Sequence, residues 1–317
     1  MLFVNHVHIL VLAALLAACP SVTPDDPSPT PTPDPCAESP AAGTVSVLAT
    51  DFVGGTEGIT FSPDGRLFVS NDDRIEELQP DGTRSLLAEV PQSVGLTFWE
   101  GALVVASFDA GLGAVTGGVY RVDIDSGAVS LLTGGIEAAN FPAVTPWGTL
   151  LVADDTGTEE IVEVTRDGAR STWSAAVPSP NGIGFSADGA TAFVATTFGN
   201  PAPLWAVPVV DGEAGAPTSL VSWGPGNVPD GLAMGLDGDV WLTQNVGGRV
   251  DRIRPGAPEG QRVIASFEGV PWAASVAFGV GPAWDACSLY VTSLFGPDVY
   301  RLSVGAHGAP MVGATAP

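Results

Sequence analysis

Four side chains with oxygen donors occupy the same position in a phrase that the chain repeats. The phrase is a polar or small residue, often followed by Gly, then an apolar run, a tight turn and a second apolar run. The four side chains are Glu57, Asn140, Asn181 and Asp230. Two carboxylates and two amides would suit Ca²⁺ or Mg²⁺ and would suit structural zinc poorly. Four protein ligands leave positions for water or substrate, which Lewis-acid chemistry requires.

Turn chemistry offers an alternative explanation for part of this pattern. Asn181-Gly182 and Asp230-Gly231 are dipeptides that tight turns favour. Glu57-Gly58 does not fit that explanation, because Glu is a poor turn former. All four polar residues also stand immediately before an apolar run. The shared position therefore favours a hard-cation site over four unrelated turns.

The repeats predict an all-β fold. Successive copies begin 37 to 49 residues apart, at Glu57, Val94, Asn140, Asn181, Asp230 and Ser275. A strand-built period in the forties is typical of a β-propeller, with one four-stranded antiparallel sheet in each repeat. Six repeats predict a six-bladed ring, in which residues 44–50 form the outer strand of the last blade. The first residues of the innermost strands would then face one central channel.

Composition limits the classes of function. The chain has 317 residues and a formal charge of −24, with 40 Gly and 28 Pro. Such an acidic chain cannot neutralise phosphates, so nucleic acid is excluded as a partner. The Gly and Pro content favours many turns between short strands. We expect one propeller over residues 44–306, a tail over residues 307–317, a monomer, and a small-molecule substrate.

The N-terminus has the pattern of an export signal. Residues 9–18 are apolar but too short to span a bilayer comfortably. They end in Leu16-Ala17-Ala18-Cys19, which resembles the lipobox of bacterial lipoproteins, although no Lys or Arg precedes the run. The prediction is a signal peptide over residues 1–18 and a lipidated Cys19, with no transmembrane helix in the mature chain. An ordinary cleaved signal and a buried helix are the alternatives.

A proline-rich linker follows Cys19. Residues 20–35 have Pro at nearly every second position, so they cannot form a helix or a central strand and extend as polyproline II. We expect residues 19–43 to tether the propeller to a membrane of the bacterial envelope through the lipid alone. Pro20 in place of Asp favours the outer membrane over the inner one.

Two further cysteines stand at the two ends of the predicted propeller. Cys36 ends the linker and Cys287 lies in the last repeat. Because a propeller's first and last segments meet in one blade, these cysteines could form a disulfide, which an exported protein would retain. The alternative is two unpaired thiols.

The repeat starts resemble those of the SMP-30/gluconolactonase/luciferin-regenerating-like propellers. The resemblance covers about residues 45–304 and is carried by Thr56-Glu57-Gly58, Ala139-Asn140, Pro180-Asn181-Gly182 and Pro229-Asp230-Gly231-Leu232. It implies a divalent cation in the channel, Ca²⁺ first and Mg²⁺, Mn²⁺ or Zn²⁺ as alternatives. The implied ligands are Glu57, Asn181 and Asp230, and Asn140 would bind metal or substrate.

The same resemblance implies a reaction. It would be the hydrolysis of a lactone or related ester, with Asp230 as the base that activates water or as the nucleophile. Members that hydrolyse sugar lactones have an Arg two residues before the Asn that matches Asn140, whereas this chain has Ala138. That departure leaves a second hypothesis open, a non-catalytic lipid-anchored propeller that serves as a binding or scaffolding module.

Two other pairs of residues are candidates for the channel mouth. Asp154 and Asp155 follow the second strand of the third repeat, where turn roles are favoured over roles in the channel. Trp223 and Trp272 lie beside the loops that precede innermost strands, and either could line the pocket mouth, although a place in the core is favoured.

Overall fold

Tight turns reverse the chain between successive apolar runs. Gly65 and Gly82 adopt φ values of 88° and 83°, the positive range that hairpin turns of the Asp-Gly type need. The structure is a computed structural model and describes residues 36–108, 117–156 and 160–312. The predicted signal peptide, Cys19 and the linker up to residue 35 lie outside these ranges. Within them, no helix is long and apolar enough to cross a membrane.

The described strands form six antiparallel sheets, and the first three follow one another along the chain after an initial strand. The initial strand is β1 (Val45–Ala49). The first blade contains β2 (Ile59–Phe61), β3 (Leu67–Asn71), β4 (Arg74–Leu78) and β5 (Arg84–Glu89). The second contains β6 (Ser93–Trp99), β7 (Ala102–Ser107), β8 (Gly118–Val122) and β9 (Val129–Gly134). The third contains β10 (Ala139–Val144), β11 (Leu150–Asp154), β12 (Ile161–Val164) and β13 (Arg170–Ser174).

The remaining blades repeat this order. The fourth contains β14 (Pro180–Phe185), β15 (Thr191–Thr196), β16 (Ala202–Val210), the short β17 (Glu213–Ala214) and β18 (Thr218–Trp223). The fifth contains β19 (Pro229–Met234), β20 (Val240–Gln244), β21 (Arg249–Ile253) and β22 (Val263–Glu268). The sixth contains β23 (Ala273–Phe278), β24 (Ser288–Ser293) and β25 (Val299–Ser303), with β1 as its outer strand.

The sheets close into a ring, which confirms the six-bladed β-propeller. Each innermost strand contacts the innermost strand of the next blade, and β23 contacts β2. Apolar clusters fill the spaces between neighbouring blades. Between the last blade and the first, the ring of Phe61 lies edge-on to Trp284 at 5.4 Å and to Tyr290 at 5.5 Å. Each fully buried aromatic side chain stabilises the fold by about 2–3 kcal/mol, so these contacts hold the ring shut.

The chain's two ends meet in the sixth blade, as the sequence predicts. β1 pairs with β25, with Val45 opposite Leu302 and Ala49 opposite Val299. Cys36 and Cys287 form the predicted disulfide, with their Cα atoms 5.7 Å apart. The disulfide therefore fixes the start of the described chain to the blade that completes the ring.

The C-terminal segment closes one end of the channel. The backbone carbonyl of His307 accepts a hydrogen bond from the Leu236 amide at 2.8 Å, and the Ala309 amide donates to the carbonyl of Met234 at 2.8 Å. Residues 309–312 then line an apolar cavity of about 240 Å³ inside the ring of innermost strands. These residues lie at the end where the innermost strands finish, opposite to the end where they begin.

Removing the disulfide should weaken the fold without changing its architecture. In the chain-entropy account, a cross-link between residues 251 positions apart constrains the unfolded chain strongly, and its loss costs about 3–5 kcal/mol. We expect a Cys36→Ser/Cys287→Ser double variant to unfold at lower denaturant concentration with an unchanged far-ultraviolet dichroism spectrum. Equal unfolding midpoints for the variant and the oxidised protein would contradict this role.

Asp285 should make the closing blade sensitive to acid. Burial opposes its ionisation, but hydrogen bonds from Ser288, Ser39, the Cys287 amide and Arg301 lower its pKa from 3.8 to about 2. Because the folded pKa lies below the unfolded one, this contribution is complete above about pH 5 and disappears as the pH falls towards 2. It corresponds to about 2 kcal/mol at neutral pH.

The measurement is the free energy of unfolding of Asp285→Asn and of the unaltered protein between pH 2 and pH 7. The variant should be less stable at pH 7, and the difference should shrink steadily below pH 5. Parallel curves over the whole range would show that the ionised carboxylate contributes nothing.

Candidate active site

Irregularities in the innermost strands place three of the four polar residues at one end of the channel. The pairing of β10 with β11 skips register between Ala139 and Pro142, and the same skip occurs in β14 and β19. Each skip contains one of the candidate residues, Asn140, Asn181 or Asp230. A β-bulge re-aims a side chain that a regular strand would direct elsewhere. The bulges therefore give these three residues equivalent positions around the axis.

Glycine after the candidate residue allows neighbouring innermost strands to approach closely. A Cβ atom on Gly182 would stand 2.5 Å from the carbonyl oxygen of Asp230, and one on Gly231 would stand 2.6 Å from the Ser275 hydroxyl. Real Cβ atoms do not approach so closely, and only Gly accommodates such contact. The Gly in the repeated phrase is thus a packing requirement of the crowded axis as well as a turn signal.

Glu57 lies at this end of the channel beside a second acid. Burial and, second, the negative charge of Asp155 raise the pKa of the Glu57 carboxyl to about 7, against a hydrogen bond with Asn140 that lowers it. The amide nitrogen of Asn140 also lies 3.4 Å from the Asp155 carboxylate. Asn140 therefore joins two carboxylates that come from different blades.

Asp230 lies in the same cluster and is held by two amides. Burial raises its pKa well above the ordinary value, and the charges of Glu57 and Asp155 act in the same direction. Hydrogen bonds from Asn245 and Asn181 oppose this rise. The Asn245 amide nitrogen is 3.3 Å from the Asp230 carboxylate. The structure thus brings all four candidate residues together, and none of the groups that shift these two pKa values is basic.

Asp154 and Asp155, which the sequence treats alike, have different surroundings. The carboxylate of Asp154 accepts a hydrogen bond from the Ala138 amide at 2.9 Å and so supports the backbone ahead of β10. The carboxylate of Asp155 accepts one from the Ser179 hydroxyl at 2.7 Å and interacts electrostatically with Glu57 and Asp230. Asp155 is therefore part of the acidic cluster, and Asp154 is part of its support.

Two members of this cluster were missed or underrated from sequence, and both share a position in the repeat. Asp155 stands 15 residues after Asn140, and Asn245 stands 15 residues after Asp230. Both follow the end of a second strand, which antiparallel pairing returns to the start of the innermost strand. This second phase of the repeat is the signal that could have identified them.

The donor set fits a divalent cation. The side-chain oxygen of Asn181 is buried and has no hydrogen-bond partner in the part of the chain that the structure describes, although a buried amide oxygen normally has one. It lies next to Asp230, to which Asn181 donates. An unused oxygen beside repelling carboxylates is an arrangement that a hard cation would stabilise.

The spacing of the acidic residues indicates that carboxylates alone would not complete a cation site. In the described ranges, one group of three cysteine, histidine or carboxylate side chains brings its ligand atoms within 4.8 Å of one another, namely Cys36, Cys287 and His307. Its cysteines form the disulfide and cannot act as thiolate ligands. The carboxylate oxygens of Glu57, Asp155 and Asp230 do not all lie within 4.8 Å of one another. A cation among them would therefore need amide oxygens and water as further ligands.

A cavity opens beside the acidic cluster. It has a volume of about 400 Å³, and its lining includes Glu57, Asp72, Asp73, Phe108 and Leu294. No basic side chain is among its described lining residues. This cavity is separate from the apolar one at the other end of the channel, so a ligand that reaches Glu57 enters at the acidic end.

Comparisons with known proteins agree with the propeller fold. Residues 168–295 match the family described as the SMP-30/Gluconolactonase/LRE-like region, which confirms the resemblance predicted from the sequence. A search of curated proteins by sequence found no match.

Solved structures share the fold. A calcium-binding protein, regucalcin, from Agrobacterium tumefaciens is 23% identical, with a TM-score of 0.68 over 84% of this chain and 96% of that one. A luciferin-regenerating enzyme is 18% identical, with a TM-score of 0.69 over 86% and 99%. A gluconolactonase from Xanthomonas campestris is 20% identical, with a TM-score of 0.66 over 82% and 89%.

The close approach at Gly231 can be tested directly. We expect Gly231→Ala to lower the free energy of unfolding by more than 2 kcal/mol, because its methyl group would overlap Ser275 and the backbone of Ala274. Gly256→Ala is the matched control, since no atom lies within 4 Å of its Cβ position. Chemical denaturation should separate the two variants, and similar midpoints for both would contradict the crowded axis.

Proposed function

We propose that this protein is a divalent-metal-dependent hydrolase of lactones or related esters, acting at the acidic end of the propeller channel. The observation that carries the proposal is the buried Asn181 oxygen, which has no hydrogen-bond partner among the described residues and lies beside Asp230, whose pKa, like that of Glu57, is raised by burial and by neighbouring carboxylates. The cavity beside Glu57 supports it, because a small molecule in that cavity would contact Glu57. The gluconolactonase among the similar structures supports this class of reaction.

The donor residues suit Ca²⁺ first. Glu57, Asn181 and Asp230 would hold the ion, with Asn140 or water completing its shell. When bound, the cation would supply Lewis-acid polarisation of the substrate carbonyl. The Agrobacterium protein described as calcium-binding has the same fold and supports this choice of ion.

The chain's own residues supply the proton transfer. Asp230 is the group that takes a proton from the attacking water or attacks the carbonyl carbon itself. Hydrogen bonds from Asn245 and Asn181 fix its carboxylate. Asn140, which contacts both Glu57 and Asp155, has an amide that can orient the substrate. The amides therefore hold the acids in one geometry despite their mutual repulsion.

We also propose that the protein is exported and lipid-anchored through Cys19. The disulfide between Cys36 and Cys287 supports export, because disulfides persist in oxidising compartments. The Pro-rich residues 20–35 would serve as the tether between the membrane and the propeller.

Calcium titration tests the proposed site. The purified protein should bind one Ca²⁺ with a dissociation constant in the micromolar range by isothermal titration calorimetry. Asp230→Asn and Asn181→Ala should each weaken binding at least tenfold, because the first removes a negative charge from the ligand set and the second removes an oxygen ligand. They should also reduce the calcium-dependent hydrolysis of lactones and aryl esters.

The matched control is Glu259→Gln, which removes one charge from an exposed position. It should bind Ca²⁺ as the unaltered protein does. Equal binding by all four proteins, or no binding by any, would remove the metal site and the hydrolase with it. Binding without hydrolysis of any ester would leave a metal-containing binding propeller.

A further inference from the structure

Exposed aromatic side chains gather at the acidic end of the channel. Among the described residues, the aromatic side chains with large exposed fractions are Phe198 at 62%, Trp272 at 40% and Phe295 at 69%. Trp272 precedes β23, whereas Phe198 and Phe295 follow β15 and β24, so all three stand where innermost strands begin. We call these three residues the aromatic rim. Exposed aromatic groups confined to one end of a molecule indicate a binding surface.

Trp272 is connected to the acidic cluster through one amide. The Asn245 side-chain nitrogen lies 3.3 Å from the Asp230 carboxylate and 3.5 Å from the Trp272 carbonyl oxygen. The Leu294 amide donates to the same carbonyl at 2.9 Å. Trp272 is thereby held with a φ of 56°, a left-handed conformation that bulky residues rarely adopt. Gln92 and Ser179, which immediately precede β6 and β14, share this conformation, so it belongs to the turn that begins an innermost strand.

Phe198 has a similar connection to the other side of the cluster. Its amide donates to the Ser179 hydroxyl at 3.1 Å, and that hydroxyl donates to the Asp155 carboxylate at 2.7 Å. Phe295 completes the rim, because its ring lies edge-on to that of Trp272 at 5.3 Å. It directly follows Leu294, which lines the cavity beside Glu57. The backbones of Trp272 and Phe198 are thus linked to the acidic cluster through Asn245 and Ser179.

We propose that the aromatic rim binds the apolar part of the substrate, so that the enzyme acts on uncharged lactones or esters with alkyl or aryl substituents. This inference rests on the proposed hydrolase function and specifies its substrate class. Among its described lining residues, the cavity offers no basic side chain to an anionic group, and the acidic Asp72 and Asp73 line it. The rim supplies the apolar contact that takes the place of polar recognition.

The test compares γ-lactones whose alkyl substituent lengthens from none to six carbons, in the presence of Ca²⁺. Each methylene buried against the rim should raise kcat/KM by up to about fourfold. Trp272→Asn removes the ring with a residue that tolerates positive φ, and Phe295→Ser removes its partner. In either variant, the ratio of kcat/KM for γ-decalactone to that for γ-butyrolactone should fall at least tenfold. Leu131→Ser, which removes an apolar side chain 58% exposed on an outer strand, should keep the ratio.

Binding provides a measurement that does not need turnover. In excess EDTA, γ-decalactone should bind the unaltered protein and Leu131→Ser with similar affinity by calorimetry, and should bind the two rim variants at least tenfold more weakly. Circular dichroism would verify that each variant is folded.

The outcomes separate the two proposals. Hydrolysis that ignores chain length, or a ratio that the rim variants leave unchanged, would overturn the rim inference and leave the hydrolase standing. If no hydrolysis is observed but γ-decalactone binds in a rim-dependent way, the hydrolase proposal is wrong and the rim remains a binding site for an apolar ligand. If neither hydrolysis nor rim-dependent binding is observed, both proposals are wrong. The exposed aromatic groups would then belong to a surface for another partner.

Discussion

The architecture depends on the crowding of six innermost strands around one axis. Adjacent strand starts come so close that a Cβ on Gly182 would stand 2.5 Å from the carbonyl oxygen of Asp230. Only Gly accommodates this approach, so the residue before each such Gly is carried to the channel. The same constraint that packs the ring therefore brings Glu57, Asn181 and Asp230 into one cluster.

The burial of like charges close together makes that cluster unfavourable in free energy. Burial raises the pKa values of Glu57 and Asp230, the charge of Asp155 raises both, and the charge of Glu57 raises that of Asp230 as well. Side-chain amides bind Glu57 and Asp230, and the Asn181 oxygen has no hydrogen-bond partner among the described residues. Such a site persists because the blade interfaces and the closed sixth blade stabilise the scaffold independently of it. The cost also explains why a bound cation would strengthen the protein, since it would neutralise charges that the chain leaves opposed.

The two ends of the channel differ in chemistry. At one end, residues 309–312 cover a cavity lined by the apolar side chains of the innermost strands. At the other, the acids and amides lie where the innermost strands begin, and the exposed residues Phe198, Trp272 and Phe295 stand at the same end. Polar groups at the same end as exposed apolar groups suit a substrate whose reacting part is polar and whose remainder is not. The propeller therefore presents its chemistry from one direction only.

The sequence by itself determined the repeat, the six blades, the closing strand before Glu57, and the shared position of the four candidate residues, because turns and strand periods are encoded locally. It also supplied the pairing of Cys36 with Cys287 as one of two alternatives. Only the tertiary structure separated Asp155 from Asp154, and Trp272 at the mouth from Trp223, which is 9% exposed. Neighbouring residues at a strand end differ in direction according to bulges and to contacts with blades distant in sequence. The exposure of a side chain likewise depends on tertiary packing, which no local sequence pattern encodes. The fold could therefore be predicted from the sequence, whereas the full set of site residues could not.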